Sequence, residues 1–259
     1  MKPSPNLQLA IAAAKKAGEI LRNGFGTMLH IEKKDEGKGI VTNIDKASEA
    51  AIIKILQKSP YPILAEEGGL VGTKSNIYWV VDPLDGTNNF SRQVEFFAIS
   101  IALIKDNQVK LGVIYNPIKN LCYFAEKANG AFCNDHKIHV SKVDNLSSTT
   151  LFINYGYAHE AKLLSDKVTI RLNKLCKIRK FGTTALELCY VAQGSYEAFM
   201  SPGDELWDYA AGIIIVEEAG GKVSDWQGNP WNNSNSFVLA SNGLIHEELI
   251  KQISDLQNP

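Results

Sequence analysis

Asp82 and Asp85 lie three residues apart in the stretch Ile77–Phe90, IYWVVDPLDGTNNF. The five residues before them, Ile77 to Val81, are apolar, β-branched or aromatic and suit a buried strand. Proline has no N–H for a ladder, so the strand is expected to stop at Asp82-Pro83. A buried strand then delivers two carboxylates to a turn, where Gly86 lets the backbone approach a ligand closely and Thr87 adds a hydroxyl. Hard cations such as Mg²⁺ take oxygen ligands in tight octahedral geometry. Asp82 and Asp85 offer carboxylates, and the Leu84 carbonyl, freed from the ladder, offers a third oxygen. A helix starting near Thr87 would turn free N–H groups toward a phosphate. A lone DxxD reads as an Asx turn with solvated side chains. The coincidence of strand, proline, glycine and hydroxyl favours the metal and phosphate reading instead.

Other polar residues stand at the ends of apolar runs. Glu66-Glu67 follow Ile63-Leu64-Ala65 and precede Gly68-Gly69. Two glutamates there suit a solvated edge, and the glycines a bend. Asp45 falls in the first turn of a helix capped by Thr42 or Asn43, where the dipole favours a negative charge. From the residues alone, helix stabilisation is its role. Asp208, beside Trp207, takes the same place in a later buried helix, WDYAAGIIIVEEAGG. Gly182-Thr183-Thr184 opens the run ALELCYVAQG, and a hydroxyl N-cap is the expected use of that triplet, with an anion-facing helix start as the alternative.

The elements that must hold these residues follow from periodicity. Leu9, Ala13, Ala17, Ile20 and Leu21 fall on one face of a helix over residues 6–23, ended by Gly24 and Gly26. Met28–Lys33 reads as a strand and Lys34–Gly39 as a mobile loop. The next helix is expected to carry Ala47, Ala50, Ala51 and Ile55. Phe96–Lys105 and Gln108–Tyr115 form a hairpin about Asp106-Asn107, and Leu121–Ala125 adds a third strand. The second half alternates short strands (151–154, 177–181, 196–200, 237–240) with helices (160–175, the ALELCYVAQG run, the WDYAAG run, 247–256). No linker separates the halves, so an α+β pattern of two tightly packed subdomains sharing one cleft is expected.

DPLDGTNNF resembles the signature of the inositol monophosphatase family of Mg²⁺-dependent, lithium-sensitive phosphatases. Glu66-Glu67, Asp82 to Thr87 and Trp207-Asp208 are similar, in order, to that family's three acidic motifs, and the resemblance runs from about Lys34 to Gly221. It implies a layered αβαβα sandwich with a metal-binding cleft, one domain over residues 1–259 with subdomains near 1–147 and 148–259. It implies that Glu66, Asp82 and the Leu84 carbonyl hold one Mg²⁺. Asp82, Asp85 and Asp208 hold a second, and a weaker third leans on Glu66. It implies water attack without a phospho-enzyme, with Thr87, Asp45 and Glu66 assisting proton removal. Gly86 and Thr87 N–H groups hold the phosphate, and Lys34 lies near the metals. Asp85, Gly86, Thr87, Gly182, Thr183, Ser201 and Asp208 make up the substrate surface. The implied substrate is a small phosphorylated polyol, foremost inositol 1-phosphate. Fructose 1,6-bisphosphate, histidinol phosphate and 3′-phosphoadenosine 5′-phosphate are same-fold alternatives. A partner-binding protein with incidental phosphatase activity is an alternative of another class. Inhibition by Li⁺ and a homodimer are further implications. The chain departs from relatives at Gly39-Ile40, where many carry an acidic residue, and at Ser201, where animal inositol phosphatases carry a glutamate that touches a sugar hydroxyl.

Composition agrees with a soluble enzyme. The 259 residues are 45% hydrophobic and 21% charged, with net charge −1, and there is no basic stripe to suit nucleic acid. Four cysteines without a CxxC pair suit a reducing cytoplasm and argue against structural zinc. Lys15 and Lys16 interrupt the N-terminal apolar stretch, so neither a signal peptide nor a membrane span is expected.

Overall fold

Small residues at helical spacing dictate the first contact. In α1 (Pro5–Gly24), Leu7, Ala10, Ala13, Ala14, Ala17 and Leu21 are buried along one face, and Ser4 caps the start through its Oγ. The computed structural model describes residues 3–34, 39–156, 158–232 and 237–256. After α1 come β1 (Ile31–Lys33), β2 (Ile40–Thr42), α2 (Asn43–Leu56), β3 (Ile63–Ala65), β4 (Gly69–Val71) and β5 (Ile77–Asp85). There follow α3 (Thr87–Ser91), β6 (Ala98–Lys105), β7 (Gln108–Asn116), β8 (Leu121–Glu126), β9 (Ala131–Cys133) and β10 (His136–Lys137). The second half holds β11 (Thr150–Ile153), α4 (His159–Leu172), β12 (Lys177–Arg179), α5 (Thr184–Ala192) and β13 (Ala198–Pro202). It ends with α6 (Leu206–Glu218), β14 (Lys222–Ser224), β15 (Phe237–Ser241) and α7 (His246–Ile253).

These elements stack as α, β, α, β, α, as the resemblance implied. A sheet of eight strands, ordered β10-β9-β8-β7-β6-β5-β3-β4, carries α1 and α2 on one face. Its other face packs on α5 and α6. A sheet of five, ordered β12-β11-β13-β15-β14, lies beyond them and is closed by α4 and α7. The middle helix α6 is buried without interruption from Asp208 to Val216, as its unbroken apolar run requires. It sits close to β7, where Gly112 leaves no space for a side chain: a Cβ there would stand 2.6 Å from the Ala211 carbonyl oxygen.

Three expectations need correction. The central strand does not stop at Asp82-Pro83. It runs on to Asp85 through a register shift against β6 between Asp82 and Asp85, because a bulge absorbs the missing proline N–H. Helix α2 does not bury Ala47, Ala50 and Ile55; its buried residues are Asp45, Ser48, Glu49, Ile52 and Leu56. The first half of that inward stripe is polar because it meets the site, while Ile52 and Leu56 enter the core. Finally, β2, β4 and β10 were missed, each being only two or three residues long. The Asp106-Asn107 hairpin holds, with φ of 52° and 61° as a two-residue turn demands. Most of the Lys34–Gly39 loop lies outside the described residues. Among the described residues no helix is long and apolar enough to cross a membrane.

His246, at the start of α7, is fully buried between β14 and β15. Ser224 Oγ gives its proton to the Asp225 carbonyl, so it must accept from His246 Nε2 at 2.8 Å. Nδ1 is then the acceptor for Ser241 Oγ at 2.8 Å. That neutral tautomer has no room for a second proton, and burial pushes the imidazole pKa down to about 4. The unfolded chain binds the proton first, so stability present above pH 6.5 is lost as pH falls toward 4. The expected loss from this group is about 3 kcal/mol. Urea titrations at pH 7 and pH 4.5 should show a smaller drop for His246→Gln than for wild type.

Candidate active site

The bulge in β5 builds the site. Its lost ladder bonds are replaced by side chains: Ser48 Oγ donates to the Pro83 carbonyl at 2.8 Å, and Leu84 N–H donates to Asp82 Oδ1 at 2.9 Å. Leu84 is 1% exposed and lines the cavity, and its carbonyl lies 3.0 Å from Thr87 Oγ1. Parallel pairing of β3 with β5 sets Ala65 beside Val81, and Glu66 N–H continues that ladder to the Val81 carbonyl, so Glu66 arrives next to Asp82. Asp82 pairs across with Ser100 of β6, whose Oγ donates to the Trp207 carbonyl. Asp208 is thereby brought in from a distant part of the chain. Glu66, Asp82, Asp85 and Asp208 line one cavity of about 310 Å³, with Leu84, Gly86 and Thr87.

Asp45 has two roles at once. Its Oδ2 accepts from Thr42 N–H at 2.9 Å and from the Thr42 hydroxyl, completing a capping box for α2. Its Oδ1 lies 2.9 Å from Thr87 Oγ1. That hydroxyl has one proton for either Asp45 or the Leu84 carbonyl. The dipole role expected from the residues and the pairing implied by the resemblance are both present. Gly86 follows with φ of 94°, and a Cβ there would meet Thr183 Oγ1 at 2.6 Å, so both conformation and space require glycine.

The second half closes the cavity. Gly182 and Thr184 line it, whereas Thr183 is fully buried and its hydroxyl donates to the Phe96 carbonyl at 2.8 Å instead of capping α5. The cap comes from the first half: Asp85 Oδ2 accepts from Ala185 N–H at 2.6 Å. Ser201 does not reach the cavity. It is fully buried in β13, paired with Val238. The sequence reasoning missed Asn154, Tyr155 and Gly156, which line the cavity at the end of β11. They follow the carboxyl ends of parallel strands, where ligands gather, and that was the available clue. Glu66 and Glu67 are not a solvated edge; each carboxylate lies 2.6 Å from Lys34 Nζ.

Charge dominates here. Burial, then Glu66, Asp85 and Asp208, raises the Asp82 carboxyl well above its ordinary range. Burial raises Asp85 and Asp208 likewise, reinforced by acidic neighbours. Burial also lifts Glu67 to about 7. Desolvation works against the Lys34 ammonium, but Glu66 and Glu67 prevail and hold it charged. Among the described residues no three acidic, histidine or cysteine side chains already stand as a coordination shell. The oxygens face internal partners instead: Lys34, Leu84 N–H, Ala185 N–H and, for Asp208, Glu205 N–H at 2.8 Å. The donor set is all hard oxygen, strongly desolvated, and carries more negative charge than Lys34 can balance. It fits divalent cations of the Mg²⁺ type.

Known proteins resemble this chain along its whole length. The model of the inositol monophosphatase family matches residues 2–258. A Pasteurella multocida protein named Nus factor SuhB is 36% identical over 264 residues, covering 96% of each chain. A Mesorhizobium japonicum inositol-1-monophosphatase is 36% identical over 260 residues, covering 98% of this chain and 97% of its own. The solved Thermotoga maritima IMPase superposes with a TM-score of 0.89 at 35% identity, covering 98% of both chains.

The crowded carboxylates have a stability consequence. Their raised pKa values mean that stability is full below the ordinary carboxylate range near pH 4 and is lost as pH rises through the raised values. Chelator-treated protein should therefore gain from Asp82→Asn, with a melting temperature higher by about 3–10 °C at pH 8. Mg²⁺ should raise the wild-type melting temperature at pH 8 and leave that of the variant nearly unchanged. A variant less stable than wild type without metal would refute the repulsion.

Proposed function

Because the chain belongs to the inositol monophosphatase family, we propose that it is a Mg²⁺-dependent phosphatase of small phosphate monoesters, with inositol 1-phosphate as the reference substrate. One observation carries this reading: Glu66, Asp82, Asp85 and Asp208, from three separate segments, meet in one cavity beside the Thr87–Asp45 hydrogen bond. Glu66, Asp82 and the Leu84 carbonyl would hold one Mg²⁺, and Asp82, Asp85 and Asp208 a second. Such ions supply charge neutralisation and acidify water.

The chain's own groups do the rest. Without added positive charge the cavity would repel a phosphate dianion, since among the described residues Lys34 is the one cation lining the acidic wall. Gly86 and Thr87 N–H groups hold the phosphate oxygens, in the electrostatic role that phosphoryl transfer requires. Thr87 Oγ1 orients the attacking water and passes its proton toward Asp45, with Glu66 assisting. Asp45 suits that task because Thr42 fixes its other oxygen and burial, opposed by those hydrogen bonds, raises its pKa.

A second reading is favoured by the name of the Pasteurella relative: a role as a Nus factor, carried beside hydrolysis or in place of it. One measurement separates them, kcat/KM on inositol 1-phosphate with Mg²⁺ and after chelation. Turnover that Mg²⁺ restores supports the phosphatase. A chain inactive on inositol 1-phosphate, glycerol 2-phosphate and phenyl phosphate alike would leave the second reading.

The relay has its own check. Thr87→Ala and Asp45→Asn should each lower kcat about 10²–10⁴-fold with little change in KM. The double variant should be scarcely worse than either single, because members of one relay are not additive. Multiplying losses would reduce Asp45 to its capping role.

A further inference from the structure

The cavity holds one carboxylate more than the proposed metal set needs. Asp204 lines it, 8% exposed, at the end of β13 and just before α6. Neighbouring residues are disposed otherwise: Ser201 is sealed within the sheet, and the Glu205 side chain turns to the start of α6, where it accepts from the N–H of Asp208. Asp204 is held by hydroxyl and amide groups of Thr184, Ser201 and Asn154. Its Oδ2 accepts from Thr184 Oγ1 at 2.8 Å, and Thr184 Oγ1 in turn accepts from Asn154 Nδ2 at 2.9 Å. Asn154 and Thr184 line the same cavity. The three form a directed chain, amide to hydroxyl to carboxylate, that crosses from β11 to α5 to the turn before α6.

Resting on the phosphatase reading above, we infer that Asp204, positioned by Thr184 and Asn154, recognises the leaving group and selects alcohols that carry hydrogen-bond donors. The directions of the bonds decide this. Asn154 spends an amide proton on Thr184, and Thr184 spends its only proton on Asp204. What this wall shows a ligand is therefore a carboxyl oxygen that accepts. An ester oxygen or a second phosphate is repelled there, while a polyol hydroxyl is accepted. Asp204 stands four residues before Asp208, and Thr184 is followed by Ala185, which donates to Asp85. The recognising group is thus registered against two of the three proposed ligands of the second site, Asp208 and Asp85. The substrate class is a phosphate monoester of a polyhydroxy alcohol, and bisphosphates are disfavoured.

The test compares two substrates with Mg²⁺: inositol 1-phosphate, whose leaving group carries hydroxyl donors, and phenyl phosphate, whose leaving group carries none. Wild-type turnover of phenyl phosphate examines the phosphatase reading by itself. Asp204→Asn should lower kcat/KM for inositol 1-phosphate about 10- to 100-fold more than for phenyl phosphate, since one hydrogen bond to the carboxyl oxygen is lost. Thr184→Val should shift the same ratio in the same direction, and less. The Mg²⁺ concentration for half-maximal activity should stay within about 3-fold of wild type, a margin well short of the 10- to 100-fold cost of disturbing a metal site. A non-kinetic readout accompanies it. Free inositol with inorganic phosphate should raise the wild-type melting temperature beyond phosphate alone, and Asp204→Asn should abolish that increment. Equal losses on both substrates, a weakened Mg²⁺ response or an undiminished inositol increment would each overturn the assignment.

Discussion

The bulge at Asp82-Pro83-Leu84 is the constraint from which the site follows. It lies inside a central strand, with β3 on one side and β6 on the other, so every backbone group that leaves the ladder must find a partner. Ser48 and Asp82 supply partners from side chains, and the Thr87 hydroxyl places its one proton between the Leu84 carbonyl and Asp45. The bulge therefore turns two carboxylates and a carbonyl to one spot without leaving buried polar groups unmet. It also explains the polar start of the inner stripe of α2, since Ser48 meets the strand where it is broken, whereas Ile52 and Leu56 pack where it is regular. A proline that would normally be excluded from a central strand is retained because the strand's irregularity is its function.

Gathering buried carboxylates works against folding, and the molecule offsets it with local partners rather than with counter-charges. Lys34 is the cation paired with Glu66 and Glu67, and Glu49 supports the turn behind them by accepting from Glu67 N–H. Asp85 and Asp208 instead take backbone N–H groups at the starts of α5 and α6. A helix start is favourable for a negative charge, so two of the acidic groups are stabilised by the same elements that aim them. This arrangement leaves each carboxylate partly satisfied and still in need of positive charge.

Much of this was legible in the sequence because strong local chemistry is read without knowing the fold. The apolar run of β5, the Asp-Asn hairpin and the small-residue face of α1 all rest on patterns within a few residues. The carboxylate motifs could be named from resemblance, and the structure brings Glu66, Asp82, Asp85 and Asp208 together. What failed was long-range. Thr183 looked like a cap because nothing local shows that Asp85, 100 residues away, takes that place. The alanines of α2 looked inward because apolar periodicity cannot reveal a polar interface. Ser201 was assigned to the substrate surface by resemblance alone, whereas its pairing with Val238 depends on a strand at the far end of the chain. Asn154 and Tyr155 carried no motif; only the parallel order of β11 with β12 and β13 marks them.

The start of α5 joins these features into one device. Three carboxylates from three elements converge on it: Asp85 on Ala185 N–H, Asp204 on the Thr184 hydroxyl, and Glu187 on the Phe181 and Gly182 N–H groups. Glu187 is fully buried, and burial lifts its pKa to about 8. Asn89 adds a strut, donating to both the Phe96 and Phe181 carbonyls at 2.8 Å. The wall that faces the leaving group is therefore tied at several points to the half that carries the acidic cluster. A displacement of Asp85 is transmitted to Ala185 through a 2.6 Å hydrogen bond and, one residue back, to the Thr184 hydroxyl that steers Asp204. Geometry at the cluster and geometry at the leaving-group wall are set by the same short segment, so neither can drift alone.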